Sequence, residues 1–426
     1  MANFCKPYVF LPYILYNIIY EAIRGIVSQK KRKKILINVW YKLRKVRNQL
    51  MSCCVCSVLF ASCNILSSLT AWNKQSRHSG DSATPFSASE MNLWLLLTFA
   101  ALLECGCQKR GVYSCPDLCS CSFPPSGAEV VCSQSSLVHF PVDGLPPNTT
   151  KLSIQSTNLS SIAASHLSVV PLLDNLQLYH NNLTNLSAEL LSFIPHLKTL
   201  DLTGNRLVHL PPNIFSHALL HSLVLKNNQF EEADVAWFPF NSSLASLDLS
   251  GNRLSSVPAA LFQRLPGLTN LDLSFNNLQE LHEDHLKDLC ELETLNLMGN
   301  KLTVLKPATF THNLKLSHLF LQENRLQELP ATLLHGLQHL ELLMLNQNQL
   351  RHLPPGLLDE KKDPFLIIMS LNPWECDEDM EYLWRWITTH PQNVLFLEDV
   401  TCSSPEALKN QQVASLTSSQ LGLKNI

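Results

Sequence analysis

The residues Leu200-Asp201-Leu202-Thr203-Gly204-Asn205-Arg206-Leu207 decide the fold, because the chain spells them again at a fixed interval. Close copies stand at Leu247 to Leu254 (LDLSGNRL), Leu271 to Leu278 (LDLSFNNL), Leu295 to Leu302 (LNLMGNKL), Leu319 to Leu326 (LFLQENRL) and Leu343 to Leu350 (LMLNQNQL). The shared pattern is L-x-L-x-x-N-x-L, led three residues earlier by another leucine. Followed at its asparagine, the register runs Asn181, Asn205, Asn228, Asn252, Asn276, Asn300, Asn324, Asn348 and Asn372. Every step is 24 residues except the 23 between Asn205 and Asn228. A degenerate first copy, Leu152 to Leu159, has Thr157 in the asparagine's place and brings the count to ten repeats.

A period of this length predicts a solenoid, in which each unit buries its apolar face against its neighbours. Each unit reads as a short strand at L-x-L, a turn at the asparagine and a return segment such as Val208 to Phe215. Strand side chains alternate, so Leu200 and Leu202 point inward while Thr199, Asp201 and Thr203 point outward. A stacked asparagine carries donors and an acceptor that can satisfy buried backbone groups of the next turn. Pro211, Pro258, Pro330 and Pro354 fit the convex side, where no ladder hydrogen bond is needed. The expectation is an α/β solenoid: a leucine-rich repeat horseshoe with a parallel concave β-sheet, about ten 24-residue repeats and disulfide caps at both ends. At ~4.8 Å per strand the sheet would be about 50 Å long, a curved binding surface and not a pocket.

Net charge is formally −3, but the two parts of the chain differ. Residues 1–90 hold 13 Lys and Arg against 3 Asp and Glu, leaving 19 against 32 for the remainder. An acidic repeat region disfavours nucleic acid, which needs clustered cations, and favours basic or neutral ligands. Of 14 cysteines, seven precede the first cap (Cys5, Cys53, Cys54, Cys56, Cys63, Cys105, Cys107), and the others flank or lie within the array. That clustering at the array's ends fits a disulfide-permissive compartment.

Residues 1–90 do not read as a folded domain. They hold an apolar stretch at 7–23, the basic run Lys30 to Lys34 and a Cys-rich apolar stretch at 51–69. Membrane anchor, nuclear signal and an upstream extension outside the mature protein are the three readings, and the last is preferred. Its reason is the segment 91–107, where Met91 precedes the apolar run Leu93 to Leu103 and small residues, as in a signal peptide. Residues 108–148 then read as an N-terminal cysteine cap, 149–372 as the repeats, and 373–426 as a C-terminal cap and tail without an apolar run.

Cys115, Cys119, Cys121 and Cys132 could hold zinc, but directly before the first repeat a disulfide cap is the better reading. Spacing alone leaves three connectivities open. At the other end Cys376 pairs naturally with Cys402, bracketing a helical stretch from Asp379 to Thr388 that carries Met380, Leu383, Trp384 and Ile387 on one side. The acidic run Asp377, Glu378, Asp379 and Glu381 suggests calcium less than the preference for carboxylates in a helix's first turn.

Asn372-Pro373-Trp374-Glu375-Cys376-Asp377, with two cysteines in the C-terminal cap, Tyr382-Leu383-Trp384-Arg385-Trp386 and the tail Cys402 to Lys409 resemble the leucine-rich alpha-2-glycoprotein family of secreted, extracellular leucine-rich repeat proteins. The four-cysteine N-terminal cap looks more like that of the regulatory subunit of carboxypeptidase N. The resemblance implies the pairs Cys115–Cys121 and Cys119–Cys132. It also implies a secreted, plasma-type, ligand-binding glycoprotein, not an enzyme. As partners it implies an extracellular protein ligand, of the transforming growth factor beta pathway or cytochrome c; the acidic charge speaks against nucleic acid, and a circulating binding module, with no apolar run in the tail, is expected to be a monomer with no membrane partner. Alternatives are a non-catalytic carrier or regulatory subunit of a plasma enzyme and a membrane-anchored leucine-rich repeat receptor.

Five sequons, at Asn148, Asn158, Asn182, Asn185 and Asn241, lie in or beside the array, as expected for a secreted surface. No cofactor is expected, and no metal or catalytic site. His282-Glu283-Asp284-His285 has an i to i+3 spacing unlike the HExxH metal motif and reads as surface histidines. Cys290, beside Leu289 and Leu292, reads as a buried unpaired thiol. The outward strand positions carry the binding hypothesis. Between the two strand leucines stand Gln177, Asp201, Val224, Asp248, Asp272, Asn296, Phe320 and Met344, acidic in the middle and apolar toward the C-terminus. In the flanking columns Met298 and Leu342 join the apolar end, and Ser250, Ser274, Gln322 and Asn346 are expected to face solvent. Exposed apolar neighbours mark contact surfaces, so Asp201, Asp248, Asp272, Met298, Phe320, Leu342 and Met344 form the candidate ligand-binding face.

Overall fold

The computed structural model describes residues 115–361 and 364–423. The readings made for residues 1–114, including the upstream extension, the signal peptide and the seven leading cysteines, lie outside the described residues. Those described begin with a hairpin, β1 (Cys119–Ser122) and β2 (Ala128–Cys132), paired antiparallel. β3 (Thr149–Ile154) runs parallel to β2. Nine parallel three-residue strands follow: β4 (Asn175–Gln177), β5 (Thr199–Asp201), β6 (Ser222–Val224), β7 (Ser246–Asp248), β8 (Asn270–Asp272), β9 (Thr294–Asn296), β10 (His318–Phe320), β11 (Leu342–Met344) and β12 (Leu366–Ile368). The twelve strands form one sheet in sequence order, the arrangement of a leucine-rich repeat solenoid in which every repeat meets only its neighbours.

Each strand covers x-L-x and not L-x-L; the second leucine of the motif, such as Leu202, lies beyond the strand end but is still buried. Leu200 stands opposite Leu223 as it stands opposite Leu176. The 23-residue step therefore shortens the connection and leaves strand register intact, so every outward column survives it. The inward leucines Leu176, Leu200, Leu223, Leu247, Leu271, Leu295, Leu319 and Leu343 are at most 1% exposed. Short helical turns, among them α1 (Ala164–Leu167) and α2 (Ala259–Phe262), carry the return segments.

The asparagines bind the repeats together by one recurring set of bonds. Asn300 Nδ2 donates to the Leu273 carbonyl (2.9 Å) in the preceding repeat and to Leu297 (3.1 Å) in its own, while its Oδ1 accepts from the Leu278 amide (3.1 Å). Asn252, Asn276 and Asn324 repeat the arrangement. In the first repeat Thr157 bridges to Asn181 Oδ1 through its hydroxyl at 2.6 Å. The residue before each ladder asparagine has left-handed backbone: His180, Gly204, Asn227, Gly251, Phe275, Gly299, Glu323, Gln347 and Leu371. From His180 to Gly299 glycines alternate with larger residues there, and each larger side chain lies over the next glycine. A Cβ on Gly299 would meet Phe275 at 2.6 Å.

Disulfides Cys115–Cys121 and Cys119–Cys132 hold the first hairpin, and Cys376–Cys402 joins β13 (Trp374–Glu375) to the parallel β14 (Cys402–Ser404). The C-terminal helix, α3 (Glu381–Thr389), starts two residues later than its sequence pattern suggests, because Glu378–Met380 forms a 3-10 turn. Its buried face is Leu383, Trp386 and Ile387, with Met380 from that turn. Trp384, assigned to this face from sequence, is only half-buried, and its indole donates to the Leu416 carbonyl at 3.0 Å. Past α3, the Leu395 amide donates to Ile367 (3.0 Å), extending the sheet edge by one short contact. Among the described residues no helix is long and apolar enough to cross a membrane.

Candidate functional site

Strand register places the candidate residues in straight columns. Asp248 stands opposite Asp272, Asp272 opposite Asn296, Asn296 opposite Phe320 and Phe320 opposite Met344, and the column ends at Ile368. Leu342, between His318 and Leu366, lies in the neighbouring column. Asp201 leads the acidic end, separated from Asp248 by Val224. The positions come together through the period alone, since each strand contributes one residue per column.

Each aspartate is anchored by the residue two positions on, an Asx turn of the kind short polar side chains favour. Asp201 Oδ1 accepts from the Thr203 amide (2.9 Å), Asp248 Oδ1 from Ser250 (2.8 Å) and Asp272 Oδ1 from Ser274 (2.8 Å). Asp272 Oδ1 also accepts from the Ser274 hydroxyl (2.6 Å), and its Oδ2 from Asn296 Nδ2 (2.9 Å). Burial pushes the Asp248 carboxyl above the usual carboxylate range, and the like charge of Asp272 adds to that, against the pull of Ser250 and Lys226. The central face is therefore an acidic patch in which Asp248 is the partly desolvated member.

Toward the C-terminus the face turns apolar. Phe320, Leu342 and Met344 are half-exposed, and His318 stacks on Phe320 with ring centroids 6.4 Å apart. The apolar area runs further than the sequence reading took it. Leu366 is 38% exposed, and Leu371 and Phe396, both with left-handed backbone, are 67% and 58% exposed. Adding 24 to Leu342 would have found Leu366. Phe396 follows the non-repeating segment that extends the sheet, so the period carries no signal for it.

The third column corrects one expectation. Ser250, Ser274 and Gln322 are buried instead of solvent-facing, because the column sits where the strand bends into the asparagine turn. The Gln322 Oε1, Asn346 Oδ1 and Ser250 hydroxyl are buried without a hydrogen-bond partner. Met298, in the same column, is half-exposed.

Among the sequons, Asn158, Asn185 and Asn241 are exposed, and Asn148 and Asn182 half-buried. Asn158 Nδ2 donates to the Ser135 carbonyl at 2.7 Å, and Asn182 Nδ2 to Asn158 Oδ1 at 3.3 Å. Cys290 is exposed, not buried: its neighbours Leu289 and Leu292 turn inward while the thiol stays on the surface of the turn. His282 and His285 lie with ring centroids 5.0 Å apart beside an open cleft of about 840 Å³ lined by Ser255, Pro258 and Glu280, away from the strand columns. Burial and, after it, His282 depress the His285 pKa, against the pull of Glu280 and Asp284. In the acidic run, Asp377 caps the 3-10 turn by accepting from the Asp379 amide (3.1 Å) and pairs with His352 at 2.9 Å.

A family model described as Leucine rich repeat matches residues 147–217, 218–278, 266–326 and 315–361. No curated protein matches the chain. Among solved structures, a chain in the octameric complex of Latrophilin 3 (Lec, Olf), Unc5D (Ig, Ig2, TSP1) and FLRT2 (LRR) is similar at a TM-score of 0.60 and 24% identity, over 73% of this chain and 100% of that one. A chain of the mouse RP105/MD-1 complex is similar at a TM-score of 0.54 and 25% identity, over 64% of this chain and 46% of that one.

Proposed function

The chain belongs to the leucine-rich repeat family, and we propose that it is an extracellular, non-catalytic binding protein whose concave face docks a protein ligand on Asp201, Asp248, Asp272, Met298, Phe320, Leu342 and Met344. The observation that carries this reading is the unbroken column from Asp248 to Met344, which sets an acidic pair beside half-exposed aromatic and aliphatic side chains. Exposed apolar neighbours of this kind mark contact surfaces. Both solved neighbours come from assemblies, one holding FLRT2 with Latrophilin 3 and Unc5D and the other RP105 with MD-1, which supports a protein as the ligand.

The finer reading is a secreted glycoprotein like leucine-rich alpha-2-glycoprotein, acting on extracellular signalling of the transforming growth factor beta type. Its support is the cap sequence NPWECD, the disulfide-held ends and the exposed sequons Asn158, Asn185 and Asn241. In a pull-down from plasma, the wild-type chain retains a ligand that the Phe320→Ser/Met344→Ser variant does not. Equal retention by both chains would remove the concave docking reading.

A further inference from the structure

We infer that the face between β7 and β12 receives a protein segment that presents an arginine or lysine to Asp248 and Asp272 and, a few residues away, an aromatic or branched aliphatic side chain to Phe320 and Met344. The inference rests on the concave docking reading and names its partner's chemistry. Two observations carry it.

The first is charge. Asp248 and Asp272 stand directly opposite on adjacent strands, an arrangement that destabilises a sheet unless a cation relieves it. Asp272 is hydrogen-bonded by Ser274 and Asn296, whereas Asp248 is hydrogen-bonded by Ser250 alone, and the charge of Lys226 offsets only part of the burial and repulsion that raise its pKa. Asp248 therefore has acceptor capacity to spare for a charge-assisted bond.

The second is spacing. Phe320 lies two strand spacings from Asp272 and Met344 three, about 10 and 14 Å at the usual strand separation. An extended chain covers that in about three to five residues. The cation and the apolar side chain thus belong to one short segment.

The test pans a random linear peptide library against the full chain. Enriched peptides are expected to carry arginine or lysine about three to five residues from an aromatic or branched aliphatic residue. They should bind an Asp248→Asn/Asp272→Asn variant at least about tenfold more weakly, with affinity falling as salt rises. Asparagine oxygens can still accept from Ser250 and Ser274, and a retained unfolding midpoint confirms a folded variant. Enrichment of acidic or uncharged peptides overturns the inference, as does binding to the double asparagine variant within about twofold of wild type. Peptides lost by Phe320→Ser/Met344→Ser but kept by the asparagine variant overturn it while leaving concave docking in place. Peptides indifferent to both variants overturn both.

Discussion

Asp248 and Asn300 show how one repeat letter acquires opposite consequences from its position. Asn300 faces inward and closes three bonds to backbone groups that no water reaches, so it stabilises the solenoid, at about 1 kcal/mol net per bond. Asp248 faces outward and is held where burial raises its pKa. A raised carboxyl pKa in the folded state means that ionisation opposes folding. The penalty is absent below the ordinary aspartate value of about 3.9 and is fully present above the folded pKa. Asp248→Asn is therefore expected to raise the thermal unfolding midpoint at pH 7, and the gain should close as pH falls below about 3. A lower midpoint for the variant at pH 7 would contradict the burial argument. The inward letters were legible in the sequence because packing forces them to repeat. The buried acceptors Gln322 and Asn346 were not, because their burial depends on where the strand bends. Cys290 misled in the opposite direction: leucine neighbours indicate burial of the turn but not of each of its residues.

Among the elements, the repeats were readable to their register, whereas the C-terminal cap was readable mainly in its cysteines. The period fixes each repeat independently of its surroundings. Nothing comparable fixes α3, whose start is set by the Glu378–Met380 turn and whose buried face exchanges Trp384 for Trp386 through packing on the last repeats. The Cys376–Cys402 bridge closes a loop around this helix. Replacing both cysteines with serine is expected to cost about 2–4 kcal/mol. In a one-dimensional array the loss stays local. Hydrogen exchange should show Glu381–Thr389 losing protection while β4 to β8 keep theirs. A uniform loss from β4 to β12 would mean that the array unfolds as one cooperative block.

For the molecule as a whole, the repetition that builds the sheet also makes its face a list of single-residue choices, read off strand by strand. The face was legible as far as the period runs, which reaches Leu366 and the left-handed position of Leu371. Phe396 was not legible, because it follows the non-repeating segment that extends the sheet edge. The convex cleft near His282 and His285 lies away from these columns, so the two surfaces can be told apart in one experiment. Hydroxyl-radical footprinting, with mass spectrometry of the oxidised side chains, tests the central claim most directly. The chain is probed alone and with a peptide selected from the library. The account predicts that the peptide shields Met298, Phe320 and Met344 and leaves His282 and His285 as reactive as in the free chain. Shielding of His282 and His285 with Phe320 and Met344 unchanged would contradict it.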